Sequence, residues 1–153
     1  MKLLEYLSGL EPLREISITT NATLIGPHID RLEELGIHSI NVSMDAIQPE
    51  TFAKITRRDH FHTVRENLMR LIDSKMKVRV NFLVLEGQNL GDIYPMMEFQ
   101  RQFPVRVRFM EEMPFNGGDH QSANTTWSYQ QIREQVEKDF GSLEEIPTPP
   151  NST

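Results

Sequence analysis

Four segments of the chain alternate between apolar and polar residues, which is the pattern of a β-strand with one apolar and one polar side. The clearest lies at residues 37–45, and the other three lie at residues 16–21, 78–85 and 105–111. From residue 40 onward the clearest segment sets Ile40, Val42 and Met44 on one side against Asn41, Ser43 and Asp45 on the other. The polar sides of the remaining segments hold Ser17, Thr19 and Asn21, then Arg79 and Asn81, then Arg106 and Arg108. We expect the four polar sides to lie next to one another in one sheet.

Helical patterns separate the predicted strands. Apolar residues recur at helical spacing in residues 24–36, and Pro49 suits the first turn of a short helix. Capping boxes that begin at Thr63 and at Ser128 predict two further helices, and Asp92 fits the first turn of another. Since strand and helix alternate along the chain, the strands are expected to be parallel with right-handed crossovers, which predicts an α/β fold.

The polar side of the predicted sheet does not suit the interior of a closed barrel. Closed eight-stranded barrels fill their interior with branched aliphatic side chains, whereas this interior would hold Arg79 and Arg108. We therefore predict a partial TIM-like barrel of about four parallel βα units that holds a ligand. Burying unpaired arginines would be very costly, and a multiply anionic ligand such as a phosphate compound would remove that cost. An antiparallel sheet with one hydrated side is the alternative, because arginines that face water need no ligand.

The length of 153 residues fits one domain. We expect this domain to span residues 1–146, with a mobile loop at residues 114–127 and a disordered tail at residues 147–153. The formal net charge of −6 excludes a basic surface over the whole molecule, so nucleic acid is not an expected partner. No apolar run approaches the roughly 20 residues of a membrane span, and no signal peptide is recognisable. A cytoplasmic protein without membrane contact is therefore expected.

Several residues of types that often serve catalysis or metal binding lack the neighbours that such roles need. His60 and His62 have no clear third ligand, and Ser43 has neither an adjacent histidine nor the glycines of a nucleophile elbow. Glu111 and Glu112 fit a role in ordering a loop or pairing with an arginine better than acid–base catalysis. With no cysteine, the chain cannot supply thiolate ligands to an iron–sulfur cluster. We assign no catalytic and no metal-ligating residue.

Four motifs in order, each on a predicted strand or its tip, resemble the family of molybdenum cofactor biosynthesis protein A. They are Ile18-Thr19-Thr20-Asn21, Ile40-Asn41-Val42-Ser43-Met44-Asp45-Ala46, Val78-Arg79-Val80-Asn81 and Val107-Arg108-Phe109-Met110-Glu111-Glu112-Met113. Members of this family are radical S-adenosylmethionine (SAM) lyases with GTP 3′,8-cyclase activity. The resemblance covers roughly residues 10–114 and implies an incomplete α/β barrel that binds SAM and GTP in its lumen. A radical derived from SAM would abstract hydrogen from the GTP ribose.

The resemblance also implies roles for five residues. Thr19, Arg79 and Arg108 correspond to GTP-binding positions of the family, and Ser43 and Met113 correspond to SAM-binding positions. Arg79 stands where the family usually has a lysine, which keeps the charge but changes the hydrogen-bonding geometry. All of these except Met113 are polar strand positions in the alternation described above.

Some family features are absent from the chain. It lacks the CxxxCxxC motif and the C-terminal cysteines that hold the family's [4Fe–4S] clusters, it lacks the Gly-Gly-Glu motif, and Ala22 replaces the usual glycine. We expect the chain to correspond to the third to sixth strand units of the enzyme and to be inactive alone. Possible partners are the missing N- and C-terminal parts of the enzyme, or further copies that associate through open sheet edges. The alternatives are a non-enzymatic half barrel that binds anions or nucleotides and, third, an unrelated aldolase-like or isomerase barrel.

Overall fold

A sheet of four parallel strands organises the fold. The structure is a computed structural model that describes residues 1–11, 13–112 and 127–146. The strands, which lie in sequence order across the sheet, are β1 (Ser17–Thr20), β2 (Ser39–Ser43), β3 (Lys77–Val84) and β4 (Arg106–Glu111). Every neighbouring pair is parallel, and the sheet is open rather than closed into a barrel. The predicted α/β class, with parallel strands in a partial barrel, is confirmed.

Helices precede β1, connect the strands and follow β4. They are α1 (Lys2–Ser8), α2 (Ile29–Glu34), α3 (Pro49–Thr56), α4 (Phe61–Ile72), α5 (Ile93–Gln102) and α6 (Tyr129–Phe140). Short 3₁₀ turns at Gly26–His28 and Leu90–Asp92 lead into α2 and α5. Among the described residues, none of the helices is long and apolar enough to cross a membrane. The predicted tail and all but Trp127 of the predicted mobile loop lie outside the described residues.

Two of the helix predictions need correction at their starts. The pattern over residues 24–36 divides into α2 and a preceding 3₁₀ turn that begins at Gly26, because Pro27 favours the first turn of a helical segment and so shifts its start. The predicted capping box at Thr63 is wrong: α4 begins two residues earlier, at Phe61. Phe61 is buried and its ring lies edge-on to Phe52 of α3 at 5.6 Å, so tertiary packing sets the helix start.

The capping box at Ser128 is confirmed. Ser128 Oγ accepts a hydrogen bond from the Gln131 backbone N at 3.4 Å, and Gln131 Oε1 accepts one from the Ser128 backbone N at 3.0 Å. These two bonds satisfy N–H groups that the first turn of any helix leaves without an internal partner. Gly141, with a φ of 87°, ends the helix.

The core lies on one face of the sheet, between the strands and the helices. Strand β3 shows the division most clearly, because its buried residues alternate with more exposed ones. The buried set on β3 is Val78, Val80, Phe82 and Val84. Helices α4 and α5 cover them with fully buried side chains such as Leu68, Leu71 and Met96. Since one face carries the core, the strand residues of the opposite face are left to water or to a ligand.

A backbone of unusual conformation follows β1. Ala22 has a φ of 59°, in the left-handed region that glycine tolerates best, and its side chain is fully buried. Asn67 of α4 fixes this turn, since its Nδ2 donates to the Ala22 carbonyl oxygen at 2.8 Å. Gly26 approaches the same amide so closely that a Cβ there would collide with Asn67 Oδ1. The turn after β1 is therefore held from the neighbouring helix.

Candidate binding face

The side of the sheet opposite the helices is polar except for the register partners Leu83 and Met110 near its carboxyl end, and we call its polar residues the polar face. It consists of Ser17 and Thr19 on β1, Ser39, Asn41 and Ser43 on β2, Lys77, Arg79 and Asn81 on β3, and Arg106 and Arg108 on β4. The strand register arranges these residues in rows across the sheet. One row is Thr19, Asn41, Arg79 and Arg106, and the next holds Ser43, Asn81 and Arg108.

Four of the five predicted site residues therefore share one face. Thr19, Ser43 and Arg108 are exposed, and Arg79 is half-buried. The fifth, Met113, lies outside the described residues. Placement on one face is what a common ligand requires, while the roles of the five residues in GTP and SAM binding stay predictions.

The half of the polar face on β1 and β2 is uncharged and linked by side-chain hydrogen bonds. Ser39 Oγ donates to Ser17 Oγ at 2.8 Å, and Asn41 Nδ2 lies 3.2 Å from Ser17 Oγ and 3.5 Å from Thr19 Oγ1. These bonds limit the rotamers of the hydroxyl and amide groups. A ligand would meet an ordered surface on this half, which lowers the entropic cost of binding.

The half of the polar face on β3 and β4 is cationic, with Lys77, Arg79, Arg106 and Arg108. Within residues 1–11, 13–112 and 127–146, none of the four forms an ion pair with a carboxylate. Lys77 Nζ instead lies 3.0 Å from Nε2 of His38. Like charges opposite one another on neighbouring strands raise the free energy of the sheet. An anionic ligand would lower it.

Two buried amide oxygens lie beside Arg79. Asn41 Oδ1 and Asn81 Oδ1 accept no hydrogen bond within the described part of the chain. Asn41 is the register partner of Arg79, and Asn81 follows Arg79 by two residues on the same side of β3. A buried acceptor without a donor costs about 1–3 kcal/mol, so each of these oxygens is an unfavourable feature of the described structure. The motifs did not single out these oxygens, although both asparagines occupy polar positions in the alternation.

The loop that follows Ser43, at the carboxyl end of β2, is fixed by residues from the β3–α5 connection. Asn89 is 1% exposed, and its Nδ2 donates to the carbonyl oxygens of Asp45 and Leu83, each at 2.7 Å. Its Oδ1 accepts from the Leu85 backbone N at 2.8 Å. The Asp45 carboxylate also joins the two strands, since Oδ1 accepts from the Leu83 backbone N at 2.8 Å. These bonds hold the loop that positions Ser43.

Asp92 fixes the far end of the same loop. Asp92 Oδ2 accepts from the backbone N of Ile47 at 2.8 Å and of Gln48 at 3.2 Å. Asp92 precedes α5 as predicted, but its side chain makes no cap bond to α5 and serves the start of α3 instead. The correction arises because the carboxylate is buried against a loop more than forty residues away in sequence.

Asp45 gives this region a pH dependence that can be tested. Burial raises the pKa of the Asp45 carboxyl, and the hydrogen bond from Leu83 N opposes that effect. Because the folded pKa lies above the unfolded one, the folded state holds the proton to higher pH, and stability falls as pH rises through this window. Asp45→Asn should therefore raise the melting temperature at neutral pH, by an amount that shrinks as acid protonates the wild-type carboxyl. Thermal melts of both proteins between neutral and acidic pH measure this, and a difference independent of pH would contradict it.

The described residues contain no group of three histidine or acidic side chains placed to hold a metal ion. His60 and His62 are both exposed. With no cysteine in the sequence, the residues of this chain do not fit a cysteine-held iron–sulfur cluster. The polar face does suit an anionic ligand, because its four cations form no ion pair with a carboxylate of the described residues.

The family model of the radical SAM superfamily matches residues 1–99 of the chain. The chain therefore belongs to the radical SAM superfamily, whose cofactors are SAM and an iron–sulfur cluster, although it contributes no cysteine ligand to a cluster. Its fold is similar to that of a radical SAM methyltransferase from Sphaerobacter thermophilus, with a TM-score of 0.59 and 15% identity, covering 80% of this chain and 36% of that one. At this identity the likeness concerns the fold alone.

Relatives with higher sequence identity than this methyltransferase are named as GTP 3′,8-cyclases or as molybdenum cofactor biosynthesis proteins. The chain is 37% identical to the GTP 3′,8-cyclase of Chlorobaculum tepidum, over 86% of this chain and 40% of the relative. It is 33% identical to molybdenum cofactor biosynthesis protein 1 of Mus musculus, over 96% of this chain and 23% of the relative. It is 32% identical to the mitochondrial GTP 3′,8-cyclase of Arabidopsis thaliana, over 96% of this chain and 38% of the relative. The chain thus spans less than half the length of each of these relatives.

Proposed function

We propose that this chain forms part of the SAM- and GTP-binding lumen of a GTP 3′,8-cyclase of molybdenum cofactor biosynthesis. The observation that carries the proposal is the placement of Thr19, Ser43, Arg79 and Arg108 on one polar face. The similarity to relatives named as GTP 3′,8-cyclases supports it over nearly the whole chain. In this proposal the polar face is the wall of the lumen.

In this proposal, different residues bind GTP and SAM. Guanidinium groups form paired hydrogen bonds to phosphate oxygens, so Arg79 and Arg108 would hold the phosphates of GTP, with the Thr19 hydroxyl as a further contact. Ser43 and Met113 would hold SAM, which supplies the radical chemistry of the superfamily when bound. The chain's own contribution is to bind and orient the two ligands. Because it has no cysteine, we expect it to be inactive without the parts of the enzyme that hold the clusters.

The binding proposal is tested by titrating GTP into the purified protein. Wild type should bind GTP weakly, and Arg79→Ala and Arg108→Ala should each weaken binding by about 1.5–3 kcal/mol, because each removes hydrogen bonds between charged groups. Arg101→Ala is the matched control, since Arg101 lies on α5 and pairs with Glu98 at 2.9 Å. Isothermal titration calorimetry gives all four constants.

Unchanged titrations for both variants would remove Arg79 and Arg108 from the site. A preparation of this chain alone that held an iron–sulfur cluster and cleaved SAM would contradict the proposed division between binding and redox chemistry. Location in the cytoplasm and a lack of nucleic-acid partners stay predictions from composition.

A non-enzymatic half barrel that binds anions or nucleotides is the second candidate. The unpaired cations of β3 and β4 favour it as much as they favour the cyclase, because they require only an anion. The two candidates differ in their partner. Mixing the chain with separately produced N- and C-terminal segments of a related cyclase should restore GTP conversion only if the first proposal holds.

A further inference from the structure

Arg106 is a cation of the polar face to which no motif assigns a role. It is the register partner of Arg79, so the two side chains leave neighbouring strands at the same level and on the same side. Arg106 is exposed and Arg79 is half-buried. Backbones of neighbouring strands lie about 4.8 Å apart, so both guanidinium groups can reach adjacent groups of one extended anion.

Arg79 and Arg106 are neighbouring cations with no carboxylate beside them on the polar face, although the protein is acidic. The chain has 22 acidic residues against 16 lysines and arginines. Away from the polar face, Arg31, Arg101 and Arg133 pair with carboxylates, Arg31 with Glu5 and Glu34 at 3.0 Å each, and the other arginines form no ion pair within the described residues. In the described part of the chain, neither Arg79 nor Arg106 has such a partner. An arginine pair without carboxylates destabilises the empty protein and is stabilised by a bound anion.

We propose that Arg79 and Arg106 together bind neighbouring phosphoryl groups of one polyphosphate, so that the face selects nucleoside di- and triphosphates over monophosphates. This inference rests on the proposed function for the identity of the nucleoside but not for the arginine pair itself. A monophosphate has three terminal oxygens, one fewer than two bidentate guanidinium contacts use, so a second phosphoryl group is needed for both arginines to bind bidentately. Arg106 is then a specificity-determining residue of the site.

Titrations of GTP, GMP and inorganic triphosphate into wild type and Arg106→Gln test the pair. Arg106→Gln loses one bidentate, charge-assisted hydrogen-bond pair. It should weaken the binding of GTP and inorganic triphosphate about tenfold or more, and the binding of GMP by less than about threefold. The triphosphate affinity of Arg106→Lys should lie between those of wild type and Arg106→Gln, because lysine keeps the charge and loses the bidentate geometry. Arg101→Gln, on the opposite side of the sheet, should change none of the three affinities.

Thermal melts separate binding from folding. Without ligand, Arg106→Gln should melt at the wild-type temperature or above it, since the substitution removes a like-charge contact. Inorganic triphosphate should then raise the melting temperature of the variant less than that of wild type. A variant that melts lower without ligand and keeps the full ligand-induced rise would overturn the proposal.

The outcomes distinguish this inference from the proposed function. If wild type binds GTP and Arg106→Gln binds all three ligands as wild type does, the arginine pair is wrong and the GTP site stands. If inorganic triphosphate binds through Arg106 but GTP binds no better than other nucleoside triphosphates, the pair stands and the cyclase proposal loses its support. Equal losses for GMP and GTP would overturn the selectivity. No binding of any of the three would overturn both proposals.

Discussion

Asn89→Ala should lower the free energy of unfolding by about 3 kcal/mol or more, because each buried group left unpaired costs about 1–3 kcal/mol. The substitution removes three hydrogen bonds of 2.7, 2.7 and 2.8 Å and leaves two carbonyl oxygens and one N–H without partners. Asn89 is 1% exposed, so water has little access to replace them. Urea denaturation followed by circular dichroism measures the change.

Asn21→Ala is the matched control for Asn89. Asn21 is exposed, and its Oδ1 accepts a single hydrogen bond from the Thr23 backbone N at 3.1 Å. Its loss should cost about 1 kcal/mol or less, because water can replace the bond. If the two variants lost similar stability, Asn89 would not be the buried link between β2 and β3 that the structure shows.

Asp92→Ala should cost about 2–4 kcal/mol, because hydrogen bonds to a charged group are worth more than neutral ones. The Asp92 carboxylate accepts from two backbone N–H groups where the chain enters α3, and Thr51 Oγ1 lies 3.5 Å from its second oxygen. It also places a negative charge at the positive end of that helix. Chemical denaturation at neutral pH measures the loss.

Asp92→Asn separates the two contributions of Asp92. The asparagine keeps one oxygen that can accept from Ile47 N and loses the charge. It should therefore recover part of the stability lost in the alanine variant. Equal losses in both variants would show that the charge, not the hydrogen bonds, fixes the loop, and no loss in either would contradict the role given to Asp92.

The sheet and its polar face are the parts of the fold that the sequence predicts well. Alternation with a period of two determines which side of a strand each residue occupies, so the sides of Thr19, Ser43, Arg79 and Arg108 follow from local pattern alone. Helical crossovers then make the strands parallel, which brings those sides onto one surface. The observed register adds how the residues align across the sheet.

Contacts between distant residues could not be predicted from the sequence. Asn89 and Asp92 act on a loop more than forty residues earlier in the chain, and no local pattern marks an asparagine or aspartate for such a role. The start of α4 is set in the same way, by the packing of Phe61 against Phe52. The sequence does predict the positions of three further residues of the polar face, Arg106, Asn41 and Asn81, because each is a polar residue in the alternation. The family motifs assign none of them a binding role.

The conformation of Ala22 restricts which amino acids can occupy its position. A left-handed φ of 59° costs a residue with a Cβ about 1–2 kcal/mol, and any larger side chain would also need space in a site that is already fully buried. Only alanine and glycine meet both conditions. Glycine would remove the backbone strain, but it would leave a methyl-sized void and make the unfolded chain more flexible, and both of these lower stability. Position 22 should therefore accept only alanine and glycine. In a saturation library screened for folded protein, it should retain fewer different amino acids than most positions outside the strands.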